Sequence, residues 1–192
     1  MVSPSNHRRT LQGLSFDRLR MSGFVKVRDV TMTPTSGPET EKPPRVVVIG
    51  VGNLLLRDEG IGIHIVQALQ EMDLPPDVRL IDGGTSPDLI AYTRAGDKMI
   101  IVDAARAGGE PGSVYRFLPG DLAPGAGMLA SAHEMGVVEN LGLMSLSGHE
   151  PAETVIIGVE PAEIDWGTEL SEALSRKVPD IVRVVLKEMG LG

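Results

Sequence analysis

Val46-Val47-Val48-Ile49-Gly50-Val51-Gly52-Asn53-Leu54-Leu55-Leu56-Arg57-Asp58-Glu59-Gly60-Ile61-Gly62 is the stretch on which the fold turns. Its first four residues are an unbroken β-branched run, the pattern of a central strand buried on both faces of a parallel sheet. Beyond it, Ile61, Ile65, Ala68, Leu69 and Met72 recur at helical spacing, which predicts an amphipathic helix over 59–72 packed on that sheet. Pro75-Pro76 stops it. Working outward, 78–81 reads as a second strand, 87–94 as a short helix and 99–102 as a third strand ending at Asp103. Residues 112–118 alternate like an edge strand, 154–159 form another buried strand, and 168–189 read as a long closing helix kinked at Pro179. Two βαβ crossovers in this order predict an α/β protein. The architecture expected is a three-layer α/β/α sandwich with a mostly parallel twisted sheet and an antiparallel edge strand.

A chain of 192 residues, 42% hydrophobic and 23% charged, provides for one core and some excess, not two full domains. The excess lies at the start. Residues 1–44 show no sustained apolar period and end in Thr33-Pro34-Thr35-Ser36-Gly37-Pro38 and Pro43-Pro44, so 1–44 is expected to be a disordered or poorly structured N-terminal extension and 45–192 a single α/β domain. A functional arm and a translation start at Met21 or Met32 account for that segment equally well. Arg8-Arg9 resembles part of a twin-arginine signal, but Asp17, Arg18 and Arg20 interrupt the apolar region an export signal needs. A cytoplasmic location is expected. The apolar stretch 46–56 is too short and too interrupted for a membrane span.

The absence of cysteine excludes disulfides, zinc ribbons, iron–sulfur clusters and a thiol nucleophile. Any metal must be held by His, Asp and Glu. Residues 1–44 carry 7 Lys and Arg against 4 Asp and Glu, a charge of +3, which leaves −11 for residues 45–192. An acidic body of this kind argues against nucleic acid and suits a cationic peptide or a metal-bearing partner.

Ligands of open parallel sheets bind beyond the C-terminal strand ends, where the winding reverses. That places Asn53 to Gly62, Asp82-Gly83-Gly84-Thr85, Asp103-Ala104 and the segment around His133 under scrutiny. Gly50, Gly52 and Asp82 partly fit a dinucleotide fingerprint, but Leu55 stands where its third glycine belongs. Asp58 and Glu59 suit the cap and first turn of a helix as well as they suit a functional site. Gly60 and Gly62, unfavourable in a first helical turn, imply close backbone approach. His133 lies inside Ser131-x-x-Glu134, a capping-box pattern, which puts it at the second position of a helix where the dipole favours neutral imidazole. Asp103, ending a buried strand, needs a cleft, a backbone donor or a cation. Glu59, Asp103 and His133 together offer two oxygens and one nitrogen, enough for three facial positions on nickel or zinc, although their spacing is not that of a helical zinc motif. His7, His64 and His149 read as structural or solvent-exposed. No Gly-x-Ser-x-Gly elbow supports a serine nucleophile.

The series Gly52-Asn53-Leu54-Leu55-Leu56-Arg57-Asp58-Glu59-Gly60-Ile61-Gly62, Asp82-Gly83-Gly84-Thr85, Asp103-Ala104 and His133, in that order, resembles the hydrogenase maturation endopeptidases over about residues 45–190. The resemblance implies a nickel-dependent, aspartic-type or metal-assisted endopeptidase that removes the C-terminal extension of a nickel-loaded hydrogenase large-subunit precursor, cutting after a His or Arg. By the same correspondence Glu59, Asp103 and His133 would be the catalytic, metal-contacting residues. Asn53, Asp58, Asp82, Gly83, Gly84 and Thr85 would meet the substrate, and the nickel would be presented by the substrate instead of being held permanently. A monomer is expected. Two other readings remain open at this point: a metal-sensing chaperone that binds the precursor without cutting it, and a Rossmann-type nucleotide-dependent enzyme.

Overall fold

The computed structural model describes residues 45–85, 88–122 and 132–192, with side chains at all of these but 122 and 132–135. The apolar run at its start forms β1 (Val46–Val51), flanked by β2 (Val78–Gly84) and β3 (Lys98–Ala104). The sheet is completed by β4 (Val114–Phe117) and β5 (Glu153–Val159) in the order β2-β1-β3-β5-β4. All neighbours are parallel except β4, which pairs antiparallel with β5 at the edge. Because β2 lies on one side of β1 and β3 on the other, the winding reverses between β1 and β3, and this fixes where a ligand site belongs.

Successive strand residues face opposite sides, so a strand covered on both faces must be apolar throughout. On one face Val48, Ile100, Val102, Val155 and Ile157 meet Ile61, Ile65 and Leu69 of α1 (Ile61–Gln70) and Ile181 and Val185 of the C-terminal helix. On the other, Val47, Ile49, Met99, Ile101 and Ile156 meet Leu89 of α2 (Leu89–Tyr92) and Val137 and Met144 of α3 (Ala132–Ser147). The three expected layers are therefore present. Among the described residues no helix is long and apolar enough to cross a membrane.

Three local expectations are corrected. The first helix begins at Ile61, because Arg57–Gly60 form a separate 3-10 turn ahead of it. β2 runs on through Asp82, Gly83 and Gly84, so that motif ends a strand, with a register irregularity opposite Gly50 and Val51, and does not form a loop after it. The closing segment is two helices, α4 (Glu172–Ser175) and α5 (Val178–Met189). Pro179 kinks nothing, since it sits in the first turn of α5, where its missing N–H has no partner to lose. Ser171 caps α4 by accepting the Leu174 N–H. Residues 1–44 and Ser131, the first member of the expected capping box, lie outside the described residues.

At the end of the sheet where β3 and β5 begin, Glu188 of α5 takes Nε and Nη2 of Arg116 at 2.9 and 3.2 Å and Lys98 Nζ at 3.1 Å. The Arg116 hydrogen bonds, against the opposing effect of burial and with help from Lys98, pull the Glu188 carboxyl down from 4.5 to about 2. A depressed carboxyl contributes stability that is complete above its unfolded value and is lost as pH falls towards the folded one. Glu188→Gln should therefore lower the melting temperature at pH 7 and flatten its fall between about pH 4.5 and 2 relative to wild type, as thermal unfolding across that range would record.

Candidate active site

The site is assembled at the C-terminal ends of β1, β2, β3 and β5, beginning with the contact of α1 against the sheet. A Cβ on Gly62 would lie 2.1 Å from Val102 O and 2.4 Å from Val51 O, so the start of α1 rests directly on the backbones of β1 and β3. Gly50 is packed in the same way, since its Cβ would lie 2.2 Å from Gly62 O. Gly52, at φ +145°, holds a backbone that few side chains allow, and a Cβ there would lie 2.0 Å from Glu59 O. These glycines make room for the chain itself. They are used for packing the chain on itself, and the acidic Asp58-Glu59 turn that precedes α1 would repel a pyrophosphate, which argues against the nucleotide reading.

The same contact carries Glu59 to the end of β3, because the turn Arg57–Gly60 packs on that strand. Glu59 Oε2 is buried and has no hydrogen-bond partner among the described residues, an expensive state for a carboxylate oxygen. Asp103, the penultimate residue of β3, is 4% exposed and accepts the Ala104 N–H at 2.8 Å. It lines a small apolar cavity with Ile101, Ala105, Phe117, Val137 and Ile156. His133 is the second residue of α3, as its sequence context predicts, one helical turn before Val137. Its side chain lies outside the described residues, and among those described no three His, Asp or Glu converge as metal ligands.

The residues expected to meet substrate divide into two groups. Asp82, Gly83, Gly84 and Thr85 line the end of the sheet: Asp82 and Thr85 are exposed, and Asp82 Oδ1 accepts the Gly84 N–H at 3.0 Å. Gly84, at φ +58°, faces open space where a Cβ would stand, so its backbone is accessible to an approaching chain. Asn53 shapes its own loop, its Oδ1 accepting the Leu55 N–H at 3.0 Å. Asp58 neither caps α1 nor presents any surface to a substrate. It is fully buried, and its carboxylate accepts the N–H groups of Ala162, Glu163 and Ser171 at 2.9, 2.8 and 2.7 Å. The cap position of α1 falls to Gly60.

Glu160, just past β5, was not singled out from the sequence. Its Oε2 accepts the N–H groups of Ala107 and Gly109 and the Tyr115 hydroxyl at 2.8, 3.2 and 2.8 Å, fastening the loop that leaves Asp103. Burial on its own would raise its pKa, but the Ala107 N–H, the Tyr115 hydroxyl and the Gly109 N–H outweigh it and keep the carboxyl below its usual range. The available signal was an acid directly after a buried strand, the same signal that marks Asp103. His64 lines a separate cavity of about 250 Å³ with Glu169, Leu170, Ser175 and Val178.

The chain matches the hydrogenase maturation protease family model HycI over residues 63–188, a span that includes Asp103 and His133 and starts just after Glu59. It is 37% identical over 150 residues to the hydrogenase expression/formation protein HoxM of Azotobacter vinelandii, covering 75% of this chain and 72% of that one. It is 31% identical over 153 residues to the hydrogenase 2 maturation protease of Escherichia coli K12, covering 77% and 93% respectively. Among solved structures, the hydrogenase maturating endopeptidase HybD of E. coli superposes with a TM-score of 0.68 at 28% identity, over 76% of this chain and 91% of that one.

Asp58→Ala should cost about 3 kcal/mol or more, because three buried N–H groups lose a charged acceptor. That corresponds to a fall of roughly 10 °C in melting temperature for a domain of this size. Asp58→Asn, which keeps part of the bonding, should fall between Asp58→Ala and wild type in the same thermal scan.

Proposed function

The chain belongs to the hydrogenase maturation protease family, and from that premise we propose that it removes the C-terminal extension of a hydrogenase large-subunit precursor once nickel has been loaded into it. The observation that carries the nickel-linked reading is the buried Oε2 of Glu59, without a hydrogen-bond partner among the described residues, at the same end of the sheet as Asp103. A buried carboxylate oxygen of this kind is poorly placed without a cation and well placed with one. Residue 133, the second of α3, would add an imidazole to the set. A carboxylate, carboxylate and imidazole donor set fits a borderline divalent ion, and three ligands leave positions open for groups of the substrate. The nickel is the substrate's own cargo. An incomplete set can test for it without stripping it away.

In this reading hydrolysis consumes one water per peptide bond: the water adds to the scissile carbonyl, the C–N bond breaks, and a carboxylate and an amine leave. Glu59 and Asp103 hold the metal-bearing segment against the sheet end, and a carboxylate among them accepts the proton of the attacking water. The substrate's metal ion, where it is held there, would supply Lewis acidity toward the carbonyl or the water. Gly84, with open space above its backbone, lets the substrate chain lie close beside β2. The excess of carboxylates draws in a cleavage segment that carries a basic residue.

Mixing the protein with the precursor, with and without nickel, and weighing the precursor by mass spectrometry tests the whole reading. Loss of a C-terminal peptide is expected only in the nickel-loaded sample. Glu59→Ala, Asp103→Ala and His133→Ala should each reduce processing by at least a hundredfold while circular dichroism stays unchanged. Full processing by all three variants overturns the site assignment, and a stable complex with uncut precursor identifies a chaperone instead.

A further inference from the structure

Trp166 is the single tryptophan of the chain and is 78% exposed. Nearby in sequence Ile164 is 37% exposed, and Leu55 on the loop after β1 is 55% exposed. The segments that carry them are joined by backbone hydrogen bonds: Gly167 N–H donates to Leu55 O at 3.0 Å, Arg57 N–H to Gly167 O at 2.9 Å, and Asp58 N–H to Glu163 O at 3.3 Å. Leu56 and Gly167 form a parallel bridge. Arg57 is held in the left-handed region at φ +50°, a conformation that costs a non-glycine residue energy and persists only where its surroundings enforce it. The three Asp58 bonds complete the fastening. Large apolar side chains are thus displayed on an immobilised backbone, the arrangement in which docking sacrifices least conformational freedom.

Resting on the protease reading above, we infer that Trp166 and Leu55 form an apolar platform at the rim of the site on which a second segment of the precursor polypeptide docks, an apolar side chain flanked by Lys or Arg. Three observations identify the occupant. The platform is continuous with the site, since Leu55 and Glu59 belong to one short stretch of chain, so a bound precursor passes over it. Residues 161–170 contain Glu163, Asp165 and Glu169 and no Lys or Arg, and Arg57 offsets only Glu163, at 3.3 Å. The rim is therefore acidic and matches basic flanks. A second copy of the chain is disfavoured for the same reason, because residues 45–192 carry −11 and two such rims repel. Exposed tryptophan on a rigid loop is also the residue type that most often anchors protein interfaces.

The platform predicts a loss of recognition with the fold intact. Wild-type protein is first assayed on nickel-loaded precursor, which tests the protease reading by itself. Trp166→Ala and Leu55→Asp are then expected to raise KM for the precursor at least tenfold, with Trp166→Phe recovering most of the loss and all three melting within about 2 °C of wild type. Independently of turnover, protein labelled with 5-fluorotryptophan has one fluorine resonance, from Trp166, and titration with precursor should shift it, less so at high salt. If wild type does not cut but the fluorine moves, the platform stands and the protease reading falls. If wild type cuts while KM is unchanged in Trp166→Ala and the fluorine stays still, the platform is wrong. A shift produced by raising the protein's own concentration, without precursor, assigns the surface to self-association and also overturns it.

Discussion

A single buried carboxylate holds the functional end of this protein together. Asp58 has no exposed surface, and its two oxygens take three backbone N–H groups from the segment that follows β5. A charge at that depth is tolerable only because it is fully hydrogen-bonded, and the bonds in turn leave the 161–171 segment no freedom to drift from the loop after β1. Glu59 is the next residue, so the placing of a candidate site carboxylate is a by-product of anchoring its neighbour. The strand-end segments after β1 and β5 become one rigid unit across a sheet in which their strands are not adjacent.

Glycine supplies the second half of that constraint. With hydrogen atoms where Cβ groups would be, Gly50 and Gly62 let α1 rest on the backbones of β1 and β3, and Gly52 lets the loop pass under Glu59. An alanine at position 62 would have to sit 2.1 Å from Val102 O. Close approach at this point brings the first turn ahead of α1 against β3, and β3 delivers Asp103. The glycines that in a dinucleotide-binding protein accommodate a phosphate here accommodate the protein's own helix.

The two ends of the sheet are treated differently. At the end where β3 and β5 start, carboxylates are matched by cations: Glu188 and Glu153 face Lys98 and Arg116. At the opposite end Asp58 and Glu160 are satisfied by backbone N–H groups or a tyrosine hydroxyl. Glu59 keeps one buried oxygen without a partner among the described residues. Stability is thus concentrated away from the candidate site and around its fastenings, and one incompletely satisfied acid is retained where the proposed reading brings a cationic group of the substrate. Proteins carry such local frustration where function requires it.

Much of this was legible from residue order. The β-branched runs at β1, β3 and β5 specified a sheet covered on both faces, because only such burial tolerates apolar residues at every position. The periodicity of Ile61, Ile65 and Leu69 specified a helix lying on it, and the acids directly after strands marked the end of the sheet where chemistry belongs. What the sequence could not disclose was which partner each acid takes. Asp58 reads locally as a helix cap, yet its acceptors' donors lie 104 to 113 residues away. Pro179 reads as a kink, because nothing local records that a shorter helix, begun at Ser171, has already ended before it. Periodicity and composition are properties of neighbouring residues and survive in one dimension. The choice between a cap, a clamp and a ligand depends on groups that only chain folding brings within 3 Å, and tertiary structure alone decides it.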